Sequence, residues 1–335
     1  MAVGEALRER GVTVTYAGSP DRVESRLVPE AGFELDTFQI SGIPRRVGIE
    51  LVRSLAQAVR APFACSRILA LRRPHVVLGG GGYVSGPMVL AARLRGIPAA
   101  LTEADAHLGL ANRLAAPFAR RVFLSYAVSG RDGGKYRVVG RPTPAAHLGV
   151  GKAEGRAEFG LPGDRPVLAV FGGLAGAQAL NELTVDAFGD HGPAVLHVSG
   201  ERDFAALRPR VRRDDYVLVA STDRFGAALA AADLAISRAG GTVWELAAAG
   251  TPAILVPYPH ATGDHQTLNA RHFERGGGAI VVDQWELARV PVLAEELLGD
   301  PARLERMSAS MRALAMPDAA GAVAEELIAL AEGRA

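Results

Sequence analysis

Ile236-Ser-Arg-Ala-Gly-Gly-Thr-Val-Trp-Glu245 is a short apolar strand that runs into a glycine turn and then into an apolar helix. The backbone N–H groups left free at such a helix start form a site for an anion. One turn into the helix, the carboxylate of Glu245 can accept hydrogen bonds from two hydroxyls, as from a ribose. After a second apolar strand at 253–257, His265 and Gln266 supply polar groups suited to a sugar. Phosphate, ribose and hexose groups in this order predict a nucleotide-sugar site.

Short apolar strands alternate with helices along almost the whole chain, and the alternation restarts after Arg141-Pro-Thr-Pro144. This pattern is typical of parallel sheets covered by helices on both faces. It predicts an α/β protein with two Rossmann-like, doubly wound domains and an interdomain cleft that binds the ligand. We expect a first domain at 1–142, a second domain with the nucleotide-sugar site at 143–316, and a C-terminal helix in 317–335 that packs at their junction. The predicted strands are 12–16, 76–78, 99–102, 122–125, 167–171, 194–198, 216–219, 234–236, 253–256 and 279–282.

Composition excludes several classes of protein. A length of 335 residues with 49% apolar and 22% charged residues indicates a globular protein of more than one domain. The net charge of +1 and an aromatic content of 6% give no basis for nucleic-acid binding. The single cysteine, Cys65, excludes an internal disulfide framework and fits a reducing cytoplasm. The sequence contains no apolar run of about 18 residues that would span a membrane, and no signal peptide is visible in it.

The first eleven residues resemble the end of a helix that Gly11 closes just before a strand. A doubly wound domain normally begins instead with a strand and a glycine-rich turn. That strand lies in the middle of the sheet, and its loss would leave unpaired backbone in the core. We therefore expect the start of this sequence to be truncated or misassigned, the alternative being that another segment fills the gap.

Two further glycine-rich segments follow predicted strands. Gly79-Gly-Gly-Gly-Tyr-Val-Ser-Gly-Pro87 opens a helix, with Pro87 suited to its first turn. Its glycines allow the backbone to approach a ligand closely, and the helix start favours negative charge. Phe171-Gly-Gly-Leu-Ala-Gly-Ala-Gln178 repeats the arrangement in the second half, where a ligand loop and a packing turn are equally good interpretations.

Four motifs, at 81–87, at 172–177 with Asn181, at 238–245 and at 265–270, stand in the order found in one family. Over nearly its whole length the sequence resembles the MurG family of glycosyltransferases. The resemblance implies two Rossmann-like domains of the GT-B kind, an acceptor- and membrane-side domain at 1–142 and a UDP-sugar-binding domain at 143–316. It also implies an enzyme of peptidoglycan synthesis. Such an enzyme transfers N-acetylglucosamine from UDP-N-acetylglucosamine to the muramyl-pentapeptide of an undecaprenyl-pyrophosphate lipid, converting lipid I to lipid II. It acts without a cofactor, as a peripheral protein at the cytoplasmic face of the bacterial plasma membrane.

The resemblance also implies roles for individual residues. Gly241, Thr242 and Val243 would hold the donor diphosphate through backbone N–H groups and the threonine hydroxyl. Glu245 would accept the ribose hydroxyls. The other implied substrate-binding residues are Gln266 with His265 for the hexose, Asn181 facing the cleft, Thr222 near the uracil, Gly172, Gly173 and Leu174 in the adjacent loop, and Tyr83 with its glycines for the acceptor pyrophosphate.

Transfer to a hydroxyl usually needs a base. The family's N-terminal glycine loop and its histidine have no counterpart in this sequence, so Asp105 and Glu103 are the only bases that we can suggest. The alternative for Asp105 is that it caps a helix beginning near Leu108. No second cluster of oxygen ligands accompanies these acids in the sequence. The N–H groups of a helix start can stabilise the charge on the leaving UDP, so we expect no metal site.

A basic stripe precedes the first glycine loop. Arg46, Arg53, Arg60 and Arg67 recur every seven residues, which keeps them on one side of a helix that Pro62 would interrupt. Apolar residues lie between them, and such a surface fits an anionic inner-membrane face. An ordinary solvated arginine face is an equally good interpretation.

Three functions remain open at this point. The first is the MurG-type transfer. The second is a related GT-B glycosyltransferase with another acceptor or sugar, which the altered residues near the acceptor keep open. The third is a non-catalytic relative that binds a UDP-sugar.

Overall fold

The structure is a computed structural model that describes residues 1–40, 49–172 and 177–334, with the backbone alone for 49–56. The described chain forms two compact units, Met1–Pro142 with Asp318–Ala335 and Thr143–Pro317. Both are α/β units, and every strand pair between described residues is parallel. The predicted fold class, two doubly wound α/β domains, is confirmed.

Twelve strands lie in the described residues, six in each unit. They are β1 (Thr15–Gly18), β2 (Glu34–Thr37), β3 (Val77–Gly79), β4 (Ala99–Glu103), β5 (Arg121–Leu124), β6 (Tyr136–Val138), β7 (Val167–Phe171), β8 (Ala194–Val198), β9 (Tyr216–Val219), β10 (Leu234–Ser237), β11 (Ala253–Leu255) and β12 (Ala279–Val281).

The α-helices follow the same alternation along the described chain. They are α1 (Ala2–Glu9), α2 (Glu24–Glu30), α3 (Ile49–Arg72), α4 (Gly82–Leu94), α5 (Leu110–Ala115), α6 (Lys152–Glu158), α7 (Gln178–Phe188), α8 (Glu201–Leu207), α9 (Phe225–Ala231), α10 (Thr242–Ala249), α11 (His265–Arg275), α12 (Val290–Leu298), α13 (Pro301–Leu314) and α14 (Ala319–Ala331).

The second unit is built on one six-stranded sheet with the order β12-β11-β10-β7-β8-β9. Its central strands are apolar on both faces because helices cover both, and every residue of β7 and β10 is buried. Leu168, Val195, Ile236 and Ile254 belong to this core. Each such side chain contributes about 1.5–3 kcal/mol by leaving water.

The strands of the first unit form two separate sheets, β1-β2 and β3-β4-β5-β6. Helix α1 packs against α14, and Val3, Leu7 and Leu327 join one buried cluster with Phe123 of β5. The C-terminal helix therefore belongs to the first unit.

Several elements differ from their prediction. The strands β2 and β6 are missed because they are short and only partly buried, so they lack an apolar pattern. Helix α4 begins at Gly82, and Pro87 lies inside it rather than in its first turn. The expected interruption at Pro62 is also wrong, since Pro62 lies inside the continuous helix α3.

Candidate active site

The two glycine-rich segments of the second unit follow neighbouring strands. Phe171, the last residue of β7, pairs with Ser237, the last residue of β10. From β7 the chain adds strands on one side through β9 and then crosses to the other side at β10. In open α/β sheets, ligands bind beyond the carboxyl ends of the strands at this switch point. Gly172 and the turn at 240–241 both lie at this edge.

Helix α10 begins directly after the second glycine turn. Gly241 is its N-cap and Thr242 its first residue, and no side chain among the described residues caps this end. The first N–H groups of a helix lack acceptors within it and carry the positive end of its dipole. The side chain of Val243 is fully buried, so only its backbone can meet a ligand.

Glu245 lies one turn into α10 and is half-buried. Its Oε1 oxygen lies 2.7 Å from Nδ1 of His147, and because a carboxylate only accepts, the histidine nitrogen donates. The remaining oxygen, Oε2, has no hydrogen-bond partner among residues 1–40, 49–172 and 177–334. The predicted ribose acceptor is thus held by a neighbour that the sequence analysis missed.

The side chains of Asn269 and Arg238 hold the turn between β10 and α10 in place. Asn269 of α11 donates to the carbonyl of Ala239 at 3.1 Å. Arg238 donates to the carbonyl of Pro257 at 3.2 Å, and its guanidinium lies 5.6 Å from the ring centre of Tyr258. Burial lowers the pKa of Arg238. These contacts tie the glycine turn to the segment that follows β11.

Gln266 and His265 form the start of α11. The Oε1 of Gln266 accepts from the backbone N–H of Tyr258 at 2.9 Å. The amide nitrogen of Gln266 is therefore the group that can donate to a ligand hydroxyl. Nδ1 of His265 donates to the carbonyl of Thr262 at 2.9 Å. Both residues lie beyond the carboxyl end of β11, on the same edge as Gly172 and the turn at 240–241.

The resemblance predicts that Asn181 faces the cleft, but the structure places it in the interior of the second unit. It is fully buried, and its amide donates to the carbonyl of Ser199 at 2.9 Å and to Asp203 at 2.8 Å. Its Oδ1 accepts from Nε2 of His197 at 2.9 Å, while Nδ1 of that histidine accepts from the Tyr216 hydroxyl at 2.8 Å. These bonds give Asn181 a structural role in joining α7 to β8.

The other predicted residues of the donor side are described only in part. Thr222 follows β9, and its hydroxyl accepts from the backbone N–H of Arg224 at 3.0 Å. Gly172 is buried at the end of β7. Gly173 and Leu174 lie outside the described residues.

Glu103, one of the two suggested bases, is a loop-supporting residue. Its side chain is buried, and its carboxylate accepts from the N–H of Gly109 at 2.9 Å, from Nδ2 of Asn112 at 2.9 Å and from the N–H of Asp105 at 3.3 Å. Two backbone donors of the loop that connects β4 to α5 and one side chain of α5 converge on this carboxylate, which therefore holds the loop in place.

The suggested capping role of Asp105 is wrong. Helix α5 begins at Leu110 with Gly109 as its N-cap, without a side-chain cap among the described residues. The carboxylate that reaches the Gly109 N–H belongs to Glu103. Asp105 itself is half-buried beyond the carboxyl end of β4.

The first-unit glycine loop joins β3 to α4. Gly81 and Gly82 have φ angles of 91° and 68°, which favour glycine. Gly79 serves packing instead, because a Cβ there would lie 2.8 Å from a side chain of β4. Tyr83 follows as the second helical residue, and the guanidinium of Arg22 lies 5.9 Å from its ring centre.

A separate exposed surface lies on α3. Val59, Phe63 and Leu71 are 70%, 73% and 74% exposed, and Arg60 and Arg67 are exposed beside them; we call these five residues the α3 face. Of the predicted stripe, Arg46 and the side chain of Arg53 lie outside what the structure describes. None of the described helices is long and apolar enough to cross a membrane.

No group of three or more His, Cys, Asp or Glu side chains that could hold a metal ion occurs in the described part of the chain. Metal-independent chemistry stays a prediction.

The site residues missed from the sequence are His147, Asn112 and Arg238. His147 meets Glu245 across 98 positions, and no local pattern signals so distant a contact. Asn112 lies nine residues after Glu103, where a helical amide gives no separate signal. Arg238 stands within a quoted motif, and only its contacts with the Pro257 carbonyl and the Tyr258 ring show its role.

Comparisons with known proteins cover both units. The model of the glycosyltransferase family 28 N-terminal domain matches residues 1–124, and that of the C-terminal domain matches residues 167–323. A UDP-N-acetylglucosamine--N-acetylmuramyl-(pentapeptide) pyrophosphoryl-undecaprenol N-acetylglucosamine transferase of Rubrobacter xylanophilus is 39% identical, over 98% of this chain and 98% of its own. A protein of the same name from Halothermothrix orenii is 35% identical, over 95% and 91%. The chain belongs to the MurG family of glycosyltransferases.

Solved structures agree with this membership. The MurG of Acinetobacter baumannii superimposes with a TM-score of 0.74 at 27% identity, covering 98% of this chain and 94% of that protein. The calicheamicin glycosyltransferase CalG4 matches with a TM-score of 0.68 at 19% identity, over 98% and 94%, and supports the GT-B fold alone.

Proposed function

We propose that this chain transfers N-acetylglucosamine from UDP-N-acetylglucosamine to the lipid-linked muramyl-pentapeptide, converting lipid I to lipid II in peptidoglycan synthesis. The observation that carries the proposal is the position of Glu245. It lies one turn into α10, beyond a glycine turn at the switch point of the second sheet. A diphosphate at the helix start brings the adjoining ribose within reach of a carboxylate one turn further on.

The donor is held group by group. The backbone N–H groups of Gly241, Thr242 and Val243 and the threonine hydroxyl receive the diphosphate. Glu245 accepts the ribose hydroxyls, and the amide of Gln266, oriented by the Tyr258 N–H, donates to the sugar. The loop of Thr222 lies at the same edge and receives the uracil.

In the reaction, the acceptor hydroxyl forms a bond to the anomeric carbon of the donor sugar while the bond from that carbon to the UDP oxygen breaks. The negative charge that develops on the diphosphate is stabilised by the start of α10, a preorganised set of donors that needs no metal. The proton of the acceptor hydroxyl passes to a base, which we assign to Asp105, half-buried beyond the carboxyl end of β4. The buried Glu103 carboxylate instead accepts hydrogen bonds from Asp105, Gly109 and Asn112.

The acceptor pyrophosphate binds the first-unit glycine loop at Tyr83. Two features support this assignment: the open φ > 0 backbone at Gly81 and Gly82, and the cation of Arg22 beside the tyrosine ring. A cation and a helix start both favour a doubly negative group.

The lipid end of the acceptor requires a membrane, and we assign membrane contact to the α3 face. Its exposed apolar residues enter the interface while Arg60 and Arg67 remain near anionic headgroups. Each such charge contributes about 1 kcal/mol near an anionic surface. The chain then acts as a peripheral protein at the cytoplasmic face of the plasma membrane.

A transfer assay with a panel of UDP-sugars and a lipid-linked muramyl-pentapeptide tests the proposal. We expect transfer from UDP-N-acetylglucosamine in the presence of EDTA. Transfer of another sugar, or to another acceptor only, would support the related-glycosyltransferase alternative. UDP binding without any transfer would support the non-catalytic one.

A further inference from the structure

His147 has no assigned role, yet it is the residue that holds Glu245. It closes a 3₁₀ turn, Ala145–His147, which follows the Pro-rich connection after residue 142. The turn packs closely on α9 because residue 226 is glycine: a Cβ there would lie 2.7 Å from the Cα of His147. The position of the His147 backbone is thus determined by contact with α9.

The ring of His147 is oriented by aromatic contacts as well. It meets Phe225 edge-on with ring centres 5.4 Å apart, and Phe225 meets Phe171 at 5.3 Å. Phe171 ends β7, at the switch point where the nucleotide is proposed to bind. A ring held by backbone packing on one side and aromatic packing on the other presents its Nδ1 in a fixed direction.

The histidine hydrogen bond then determines which carboxylate oxygen remains available. Nδ1 of His147 donates to Oε1 of Glu245 at 2.7 Å. The His147 side chain is 21% exposed and the Glu245 side chain 17%, so water has little access to either. Because a glutamate has several rotatable bonds, fixing it before the ligand arrives removes an entropy cost from binding. Both lone pairs of Oε2 can accept from a ribose hydroxyl, and Oε1 keeps one lone pair that can accept as well.

We infer that His147 is the positioning residue for Glu245, and that recognition of the ribose hydroxyls depends on this pair rather than on the carboxylate alone. The inference rests on the proposed function, since it takes the ligand to be a ribonucleotide diphosphate. It goes further by naming the residue through which the site distinguishes a ribose from a sugar without hydroxyls.

The test is calorimetric binding of UDP and of 2′,3′-dideoxyuridine diphosphate to the full-length protein and three variants. A hydroxyl bonded to a charged acceptor makes wild-type affinity for UDP at least about tenfold higher than for the dideoxy compound. Glu245→Gln should reduce this ratio strongly. His147→Phe keeps the packing against Phe225 but removes the donor, and should reduce the ratio to near that of Glu245→Gln with dideoxy affinity unchanged.

His147→Asn provides the conservative rescue, because its amide nitrogen can take the place of Nδ1; it should restore most of the ratio. If His147→Phe retains the wild-type ratio while Glu245→Gln loses it, the positioning role is wrong and the donor site stands. If wild type does not bind UDP, the proposed function itself fails. A fall in affinity for both compounds in His147→Phe would show general damage to the site and would also overturn the inference.

Discussion

The Oε2 oxygen of Glu103 lies 2.9 Å from the Nδ2 nitrogen of Asn112 and 2.9 Å from the backbone nitrogen of Gly109. A buried carboxylate bonded in this way supports the loop between β4 and α5. It also leaves Asp105, which belongs to the same loop, as the remaining suggested base.

Replacing Glu103 by Ala should destabilise this loop. The partly buried N–H groups of Asp105 and Gly109 lose their acceptor, at a cost of about 1–3 kcal/mol. Hydrogen exchange of these two amides should accelerate, and the unfolding temperature should fall. Asp132→Ala, an exposed acid of the same unit, is the matched control and should leave both unchanged. Unchanged exchange in Glu103→Ala would contradict the supporting role.

Replacing Asp105 by Asn should lower kcat for sugar transfer by about 10²–10⁴-fold, because an amide cannot take the acceptor proton. The KM for the donor should stay near its wild-type value, since Asp105 is not assigned to nucleotide binding. Steady-state kinetics with both substrates measure the two constants. A variant with kcat within about threefold of wild type would show that the base lies elsewhere.

His197 should make the stability of the second unit depend on pH. Burial lowers its pKa from 6.5 to about 3 in the folded chain. Between these values the unfolded chain binds a proton that the folded chain does not, so the stability present above about pH 6.5 is lost as pH falls. The slope reaches about 1.4 kcal/mol per pH unit.

Urea unfolding from pH 7 to pH 4 measures this slope. His197→Gln removes the titrating group and should flatten the dependence, whereas His191→Gln, at an exposed histidine, should retain it. Equal slopes in wild type and His197→Gln would rule out this source of acid sensitivity.

The α3 face should be required for membrane contact. Replacing Val59 and Phe63 by Ser removes apolar surface that would enter the interface, and should reduce co-sedimentation with anionic vesicles at least about tenfold. Val292→Ser, at a residue 59% exposed in the second unit, is the matched control. Sedimentation that both variants leave unchanged would mean that the α3 face is ordinary surface.

The fold could be predicted largely because buried parallel strands are continuous apolar runs. The predicted spans 167–171, 194–198 and 216–219 agree with β7, β8 and β9 residue for residue. The edge strands β2 and β6 were beyond prediction, because their exposed residues carry no alternation that distinguishes a strand from a loop. The prediction at Pro62 was wrong because proline usually interrupts a helix, whereas here it lies within α3. The prediction at Pro87 was wrong because proline is common in the first turn of a helix, whereas α4 begins five residues earlier, at Gly82.

The candidate site also contains some residues that could be predicted from the sequence and others that could not. Positions that depend on local geometry, such as Thr242 at a helix start, could be predicted from a motif. Residues whose role depends on distant partners could not: Asn181 gives no sequence signal of the buried bonds to Ser199 and His197. The partner of Glu245 was invisible for the same reason, since it comes from a different segment of the second unit.

The most direct test of the account is mass-spectrometric detection of product after incubation of wild type with UDP-N-acetylglucosamine and a lipid-linked muramyl-pentapeptide. Glu245→Gln run in parallel relates the activity to the donor site. The account predicts one N-acetylhexosamine added to the lipid acceptor by wild type, and at least about tenfold slower addition by Glu245→Gln at limiting donor. Absence of any transfer by wild type, or an equal rate in the variant, would contradict it.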